Sequence, residues 1–182
     1  MTTHVGLLRG INVGGKNPIS MVDLKACFEQ HGFEDVTTYI QSGNVLFDSP
    51  ERSAPRLARS IEAMLVAGFG CNTGVVLRTR SQLQRIVQDA PEGFGTRPAQ
   101  YRYDVVYLKP PLREGTALTS VRPKAGVDEA TAGTGVLYFS RLIQRASQSG
   151  LSRLAALPVY QSMTIRNWNT TTRLQQMMRD GP

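Results

Sequence analysis

Three runs of this sequence concentrate groups able to hold a negatively charged ligand. The first is Gly10-Ile11-Asn12-Val13-Gly14-Gly15-Lys16-Asn17. Its spacing fits G-x-x-x-x-G-K, a loop whose backbone N–H groups cradle phosphates while the Lys reaches them. A true nucleotide-hydrolysing loop needs more. Asn17 stands where Ser or Thr binds Mg²⁺, and Pro18 and Ser20 delay the helix, so Lys16 misses its first turn. No apolar strand ends in a Mg²⁺-holding Asp, because Asp104 precedes Val105-Val106. The run therefore reads either as a looser nest of N–H groups for an anion or as a tight turn that needs glycines. Arg9 and Lys16 supply positive charge beside Asn12, Gly14 and Gly15.

The second run is Tyr39-Ile40-Gln41-Ser42-Gly43-Asn44. It reads as a hairpin with a tight Ser42-Gly43 turn, where Gly provides the positive φ of primed turns. Gln41, Ser42 and Asn44 are candidate ligand contacts there. The third run, Thr164-Ile165-Arg166-Asn167-Trp168-Asn169-Thr170-Thr171-Thr172-Arg173, opens a helix. Free N–H groups and the helix dipole favour anions at such a start. Arg166 adds charge, and Asn167, Trp168, Asn169 and Thr170 complete the candidate set. Asn167 or Asn169 also suits a purely structural N-cap, and Trp168, the one Trp, also suits a core anchor.

Other chemistry is thin. No Ser-His-Asp or Cys-His pairing emerges, and the candidate general bases reduce to Asp48, Asp104 and His31. Cys27 and Cys71 are isolated, and His4 and His31 lie far apart without ligand spacing. Neither a disulfide framework nor a four-ligand zinc site follows. The expectation is a reduced cytoplasmic protein without metal or cofactor. No apolar run approaches the roughly 20 residues of a membrane span, and no signal peptide is visible, so no membrane partner is expected.

Charge narrows the ligand. The 182 residues carry 21 basic and 14 acidic side chains, a net charge of +7, and 17 of the basic ones are Arg. Arg suits bidentate recognition of phosphate or carboxylate. Residues 1–91 hold 9 basic against 8 acidic side chains, whereas residues 92–182 hold 12 against 6. From Ala130 to Arg179 there is no Asp or Glu, yet Arg141, Arg145, Arg153, Arg166, Arg173 and Arg179 fall within that stretch. The surplus reads as a localised anion surface or as a solvated basic face.

The elements that must position these runs follow from periodicity. Residues 4–80 read β-α-β-β-α-β, the ferredoxin-like order. Strands are expected from Val5 to Ile11, Val36 to Gln41, Asn44 to Asp48 and Asn72 to Thr79. A first helix carries Met21, Leu24, Cys27 and Phe28 on one face after a Ser20 cap. A second carries Leu57, Ile61, Met64 and Leu65. Right-handed crossover makes the first two strands parallel, which places the glycine loop and the Ser42-Gly43 turn at one end of the sheet. In residues 81–182 a short helix begins at Ser81, followed by loop, a strand from Arg102 to Leu108 and a hairpin from Val127 to Ser140. A weak helix with Leu151, Leu154 and Leu157 and a final helix from about Asn169 to Met178 complete it. The fold class is α+β, with a ferredoxin-like subdomain over 1–80 and a second, less regular one over 81–182 that ends in a helix.

The runs Leu8–Asn17, Thr38–Val45 and Arg166–Thr170 together resemble an uncharacterised bacterial family catalogued as a domain of unknown function, number 1697. The likeness covers nearly the whole chain. It implies two ferredoxin-like α+β parts and brings no activity, substrate or cofactor. It also implies a Gly-Arg-Ser-Lys stretch before the final motif, where this chain has Ala146-Ser147-Gln148-Ser149-Gly150-Leu151-Ser152-Arg153.

The leading expectation is a protein that binds a phosphorylated or otherwise anionic small molecule at one site built from the three runs. Nucleic acid is the second candidate partner, set back by the scarcity of aromatics for stacking. A transferase or hydrolase acting on a phosphorylated metabolite and a structural or interaction protein are the other readings.

Overall fold

A computed structural model describes residues 1–15 and 18–180 of the chain. It divides into two compact units, Met1–Leu83 with Leu174–Pro182, and Gln84–Arg173.

In the first unit β1 (Thr2–Leu8), α1 (Met21–Gln30), β2 (Glu34–Tyr39), β3 (Asn44–Ser49), α2 (Ala54–Phe69) and β4 (Val75–Thr79) follow in the expected order. The sheet order is β2-β3-β1-β4 with every neighbouring pair antiparallel. β1 and β2 therefore point the same way, as crossover handedness requires, but β3 lies between them. Alternation sends Leu8, Val45, Phe47, Val75 and Leu77 to one face, where they pack with Leu24, Cys27 and Phe28 of α1 and Leu57, Ile61 and Leu65 of α2. Phe28, Phe33 and Phe47 form a triangle of rings with centroids 4.9–5.3 Å apart. Each fully buried ring contributes roughly 1.5–3 kcal/mol relative to exposure. Ser20 caps α1 as anticipated, its Oγ accepting from Asp23 N at 3.1 Å.

The expected two-residue turn is instead a four-residue loop. β2 ends at Tyr39, which pairs with Asn44, leaving Ile40 to Gly43 outside the ladder. Asn44 sets the wider loop: its Nδ2 donates to Tyr39 O at 2.9 Å and to Ser42 Oγ at 3.0 Å. β1 likewise ends at Leu8, short of Ile11, because Arg9 N turns to Gly74 O at 3.0 Å.

The second unit repeats the order. After α3 (Arg80–Gln88) come β5 (Tyr101–Leu108), α4 (Glu114–Val121), β6 (Asp128–Gly133), β7 (Val136–Leu142), β8 (Met163–Asn167) and α5 (Trp168–Asp180), whose residues from Leu174 on belong to the first unit. The sheet runs β6-β7-β5-β8, again antiparallel throughout. Three 3₁₀ helices, Ile143–Gln148, Gly150–Ala156 and Pro158–Ser162, replace the helix between β7 and β8. The middle one buries Leu151 and Leu154, so the expected weak helix is a 3₁₀ segment, and Leu157 is its C-cap. α4 was not anticipated. Its Gly115, Thr116 and Thr119 are poor helix formers, and it buries only Ala117 and Val121. Among the described residues no helix is long and apolar enough to cross a membrane.

His4 adds a pH-dependent element. It is buried on β1 against the Phe47 ring, 5.7 Å between centroids. Among the described residues neither ring nitrogen has a hydrogen-bond partner. Burial lowers its pKa below the ordinary histidine value, an effect that Asp48 partly opposes. The unfolded chain then binds more protons than the folded one below about pH 6.5, so stability falls as pH drops through that window. The melting temperature should decline between pH 7 and pH 5, and His4→Phe should flatten that decline. A slope equal in both proteins would remove His4 as its source.

Candidate functional site

In the first unit the two loops expected at one end of the sheet meet there. Asn12 joins them: its Nδ2 donates to Gln41 O and to Ile19 O, both at 2.9 Å, and its Oδ1 accepts from Ile19 N at 2.8 Å. Three of that amide's four hydrogen-bonding positions are thus committed inside the protein. Leu8 N donates to Gly43 O at 2.8 Å, and the Thr73 hydroxyl donates to Arg9 O. Asn44 is fully buried and serves its own loop. Gly14, Gly15 and Gln41 are exposed, while Arg9 and Ser42 are half-buried. Lys16 lies outside the described residues. Asn12 and Asn44, expected as ligand contacts, act as internal clamps.

The third run belongs to the second unit. β8 carries Arg166 and Asn167 and passes directly into α5. Asn167 is the cap, its Oδ1 accepting from Thr170 N at 2.8 Å. Asn167 and Asn169 are exposed, and Thr170 is buried. Arg166 is 7% exposed. It donates from Nη1 to Thr164 Oγ1 at 3.0 Å and to Ile165 O at 2.9 Å. Burial pulls its pKa down to about 10. Strand alternation puts Arg166 and Asn167 on opposite faces, so the expected charge of this motif is turned inward.

Asn167, Trp168 and Asn169 instead line a cleft of about 310 Å³ with Tyr101, Arg102, Tyr103, Asp104, Arg141 and Gly95. Register explains the convergence. β5 pairs with β8 only as far as Asp104 opposite Asn167, while on its other side pairing with β7 continues to Tyr101. The first residues of β5 are thus open where β8 turns into α5. Arg102 faces Arg141 across the β5–β7 pair. Arg141 Nη2 stands 3.2 Å from Asp104 Oδ2. Beyond that ion pair Asp104 Oδ2 has no partner, and the buried Arg141 Nε has no hydrogen-bond partner, among the described residues. Burial pushes the Asp104 pKa up, and Arg141 and Arg102 offset only part of that.

Trp168 forms the aromatic wall. Its ring meets Phe94 edge-on at 5.1 Å, and Phe94 also packs edge-on against Tyr103 and Tyr138 at 4.9 and 5.5 Å. Gly95, at φ +86°, is required there: a Cβ would fall 2.5 Å from Trp168 Cδ1 and Nε1. Sequence reasoning named Asn167, Trp168 and Asn169, weighed Asp104 only as a base, and counted Arg141 without placing it. Arg102 was read only as the start of a strand, and Gly95, Tyr101 and Tyr103 were given no role in a site. Asp104 at the head of an apolar strand was the available signal. Among the described residues no group of three His, Cys, Asp or Glu side chains is arranged to hold a metal ion.

The duplicated α+β sheet with polar loops at strand ends defines a class before it defines an activity. A family model described as protein of unknown function (DUF1697) matches residues 1–138, and the chain belongs to that family. Among solved structures it is similar to the conserved bacterial protein SP0830 from Streptococcus pneumoniae. That similarity has a TM-score of 0.84 and 24% identity, covering 97% of this chain and 98% of the other. At that identity the likeness speaks to the fold. No curated protein matches the chain significantly.

Gly95→Ala should destabilise the protein by about 2 kcal/mol through overpacking against the indole. It should also shift the emission of the single Trp, measured by fluorescence during denaturation. Unchanged emission and stability would mean that the contact does not fix Trp168.

Proposed function

We propose that the protein binds a small anionic ligand, bearing a phosphate or carboxylate, in the Trp168 cleft of its second unit. One observation carries this reading: Arg141 stands in the cleft with a buried Nε that has no acceptor among the described residues, beside the Asn167-Trp168-Asn169 run. A buried guanidinium donor left unsatisfied is costly, and a ligand oxygen removes that cost. Asn167 spends its Oδ1 on the cap, and its amide N–H groups have no partner among the described residues. They add neutral donors. The volume is at the small end of ligand pockets, which fits a compact metabolite rather than a nucleic-acid strand. Stacking of bases is disfavoured too, because Phe94 and Trp168 pack against one another edge-on.

Asp104 gives a second reading its specific support. A buried carboxyl whose proton affinity is raised by burial suits a general acid or base, so a transferase or hydrolase acting on a phosphorylated metabolite fits the same cleft. In that reading Asp104 takes the proton from an attacking hydroxyl or water, and Arg141 and Arg102 hold the anionic end.

A thermal-shift screen with inorganic phosphate and phosphorylated metabolites tests both, since a ligand raises the melting temperature by mass action. Arg141→Met should abolish the shift. Asp104→Asn frees Arg141 from its competing carboxylate and should strengthen binding severalfold. If Asp104 is catalytic, that variant binds and does not turn over. Ligand shifts that survive Arg141→Met would place the anion elsewhere.

A further inference from the structure

A second concavity, sharing no residue with the Trp168 cleft, lies between the end of α4 and the 3₁₀ helices of the same unit. It is a groove of about 900 Å³. Arg122, Lys124 and Arg153 line it, and Val121, Leu157 and Val159 give it an apolar wall. No carboxylate or aromatic ring lines it. Among the described residues none of its three cations has an ion-pair partner, and only Lys124 is engaged, donating to Gln148 Oε1 at 3.2 Å.

The groove is held in shape by costly local geometry. Arg122, the C-cap of α4, sits in the left-handed region at φ 49°, ψ 72°. A side chain there costs energy that glycine would not. Gly150 packs so tightly that a Cβ would come 2.5 Å from Arg122 O and 2.7 Å from Val121 O. Buried Asp128 ties the two rims together, its Oδ2 accepting from Lys124 N and from Gly150 N, both at 2.8 Å. An Arg kept at a position that suits glycine, on a rim whose only carboxylate among the described residues is the buried Asp128 clamp, is the kind of outlier that points to function.

We propose that this groove is a separate ligand site for a soluble anion carried on an aliphatic body. Arg122, Lys124 and Arg153 take the phosphate or carboxylate oxygens. The body lies on Val121, Leu157 and Val159. Arg forks match such oxygens in pairs, and the lack of ring surface in the lining disfavours stacked bases.

Isothermal titration of the full chain with hexyl phosphate, inorganic phosphate and hexanol tests this. Hexyl phosphate should bind roughly tenfold tighter than inorganic phosphate, the gain from burying about two methylenes, and roughly tenfold tighter than hexanol, the gain from charge-assisted contacts to the phosphate. Arg153→Glu should weaken it by about tenfold or more, as loss of a charge-assisted contact does. Arg122→Gly should weaken it similarly while keeping or raising the melting temperature, because glycine suits that backbone. Arg141→Met should leave it unchanged, which separates this site from the Trp168 cleft. The proposal fails if hexyl phosphate shows no saturable binding at millimolar concentration, or if either fragment binds as tightly. It fails equally if Arg122→Gly and Arg153→Glu keep wild-type affinity. Pelleting with phosphatidylglycerol vesicles that both variants abolish would make the occupant a lipid surface and overturn the soluble ligand.

Discussion

Backbone pairing of β5 is the constraint on which the second unit depends. That strand is hydrogen-bonded along its whole length to β7 but only partly to β8. Where the second ladder stops, Asp104 lies opposite Asn167 and the chain turns into α5. A one-residue slip would send every side chain to the other face. Asp104 would then lie on the opposite face of the sheet from Arg141. The cleft chemistry is a product of register before it is a product of residue type.

The same logic separates the two halves of each motif. In the third run, neighbouring residues on a strand point in opposite directions, so Arg166 is spent in the interior while Asn167 caps the helix at the surface. In the first unit, Asn12 looked like a ligand contact because an amide beside glycines suits anions. It suits equally a loop whose backbone groups need partners, and there the structure uses it: one hydrogen bond holds the glycine loop to Gln41 O and two more tie it to the Ile19 backbone.

Much of the fold was legible because it rests on local pattern. The βαββαβ order, the Ser20 cap and the placement of the first two loops at one sheet end follow from periodicity and crossover handedness. What was hidden depends on long-range pairing or on weak local preference. Arg141 meets Asp104 only through the β5–β7 ladder, across more than thirty residues of sequence. α4 carries too little apolar pattern to announce itself, and the turn at Ser42-Gly43 widened because of one buried amide, Asn44. The acid-free stretch was visible in composition, yet its division between an interior Arg166, a cleft Arg141 and a groove Arg153 required the fold.

The two sheets share one strand order, but the segment joining the third and fourth strands differs between them. In the first unit it is the sixteen-residue helix α2; in the second it is three short 3₁₀ segments. The sheet tolerates either, since what closes it is the return of the last strand and not the shape of the path taken. Such a connection can change length and side chains without disturbing the ladder beneath. It is therefore the part of this architecture most open to divergence, and in this chain it supplies Arg153, Leu157 and Val159 to a groove.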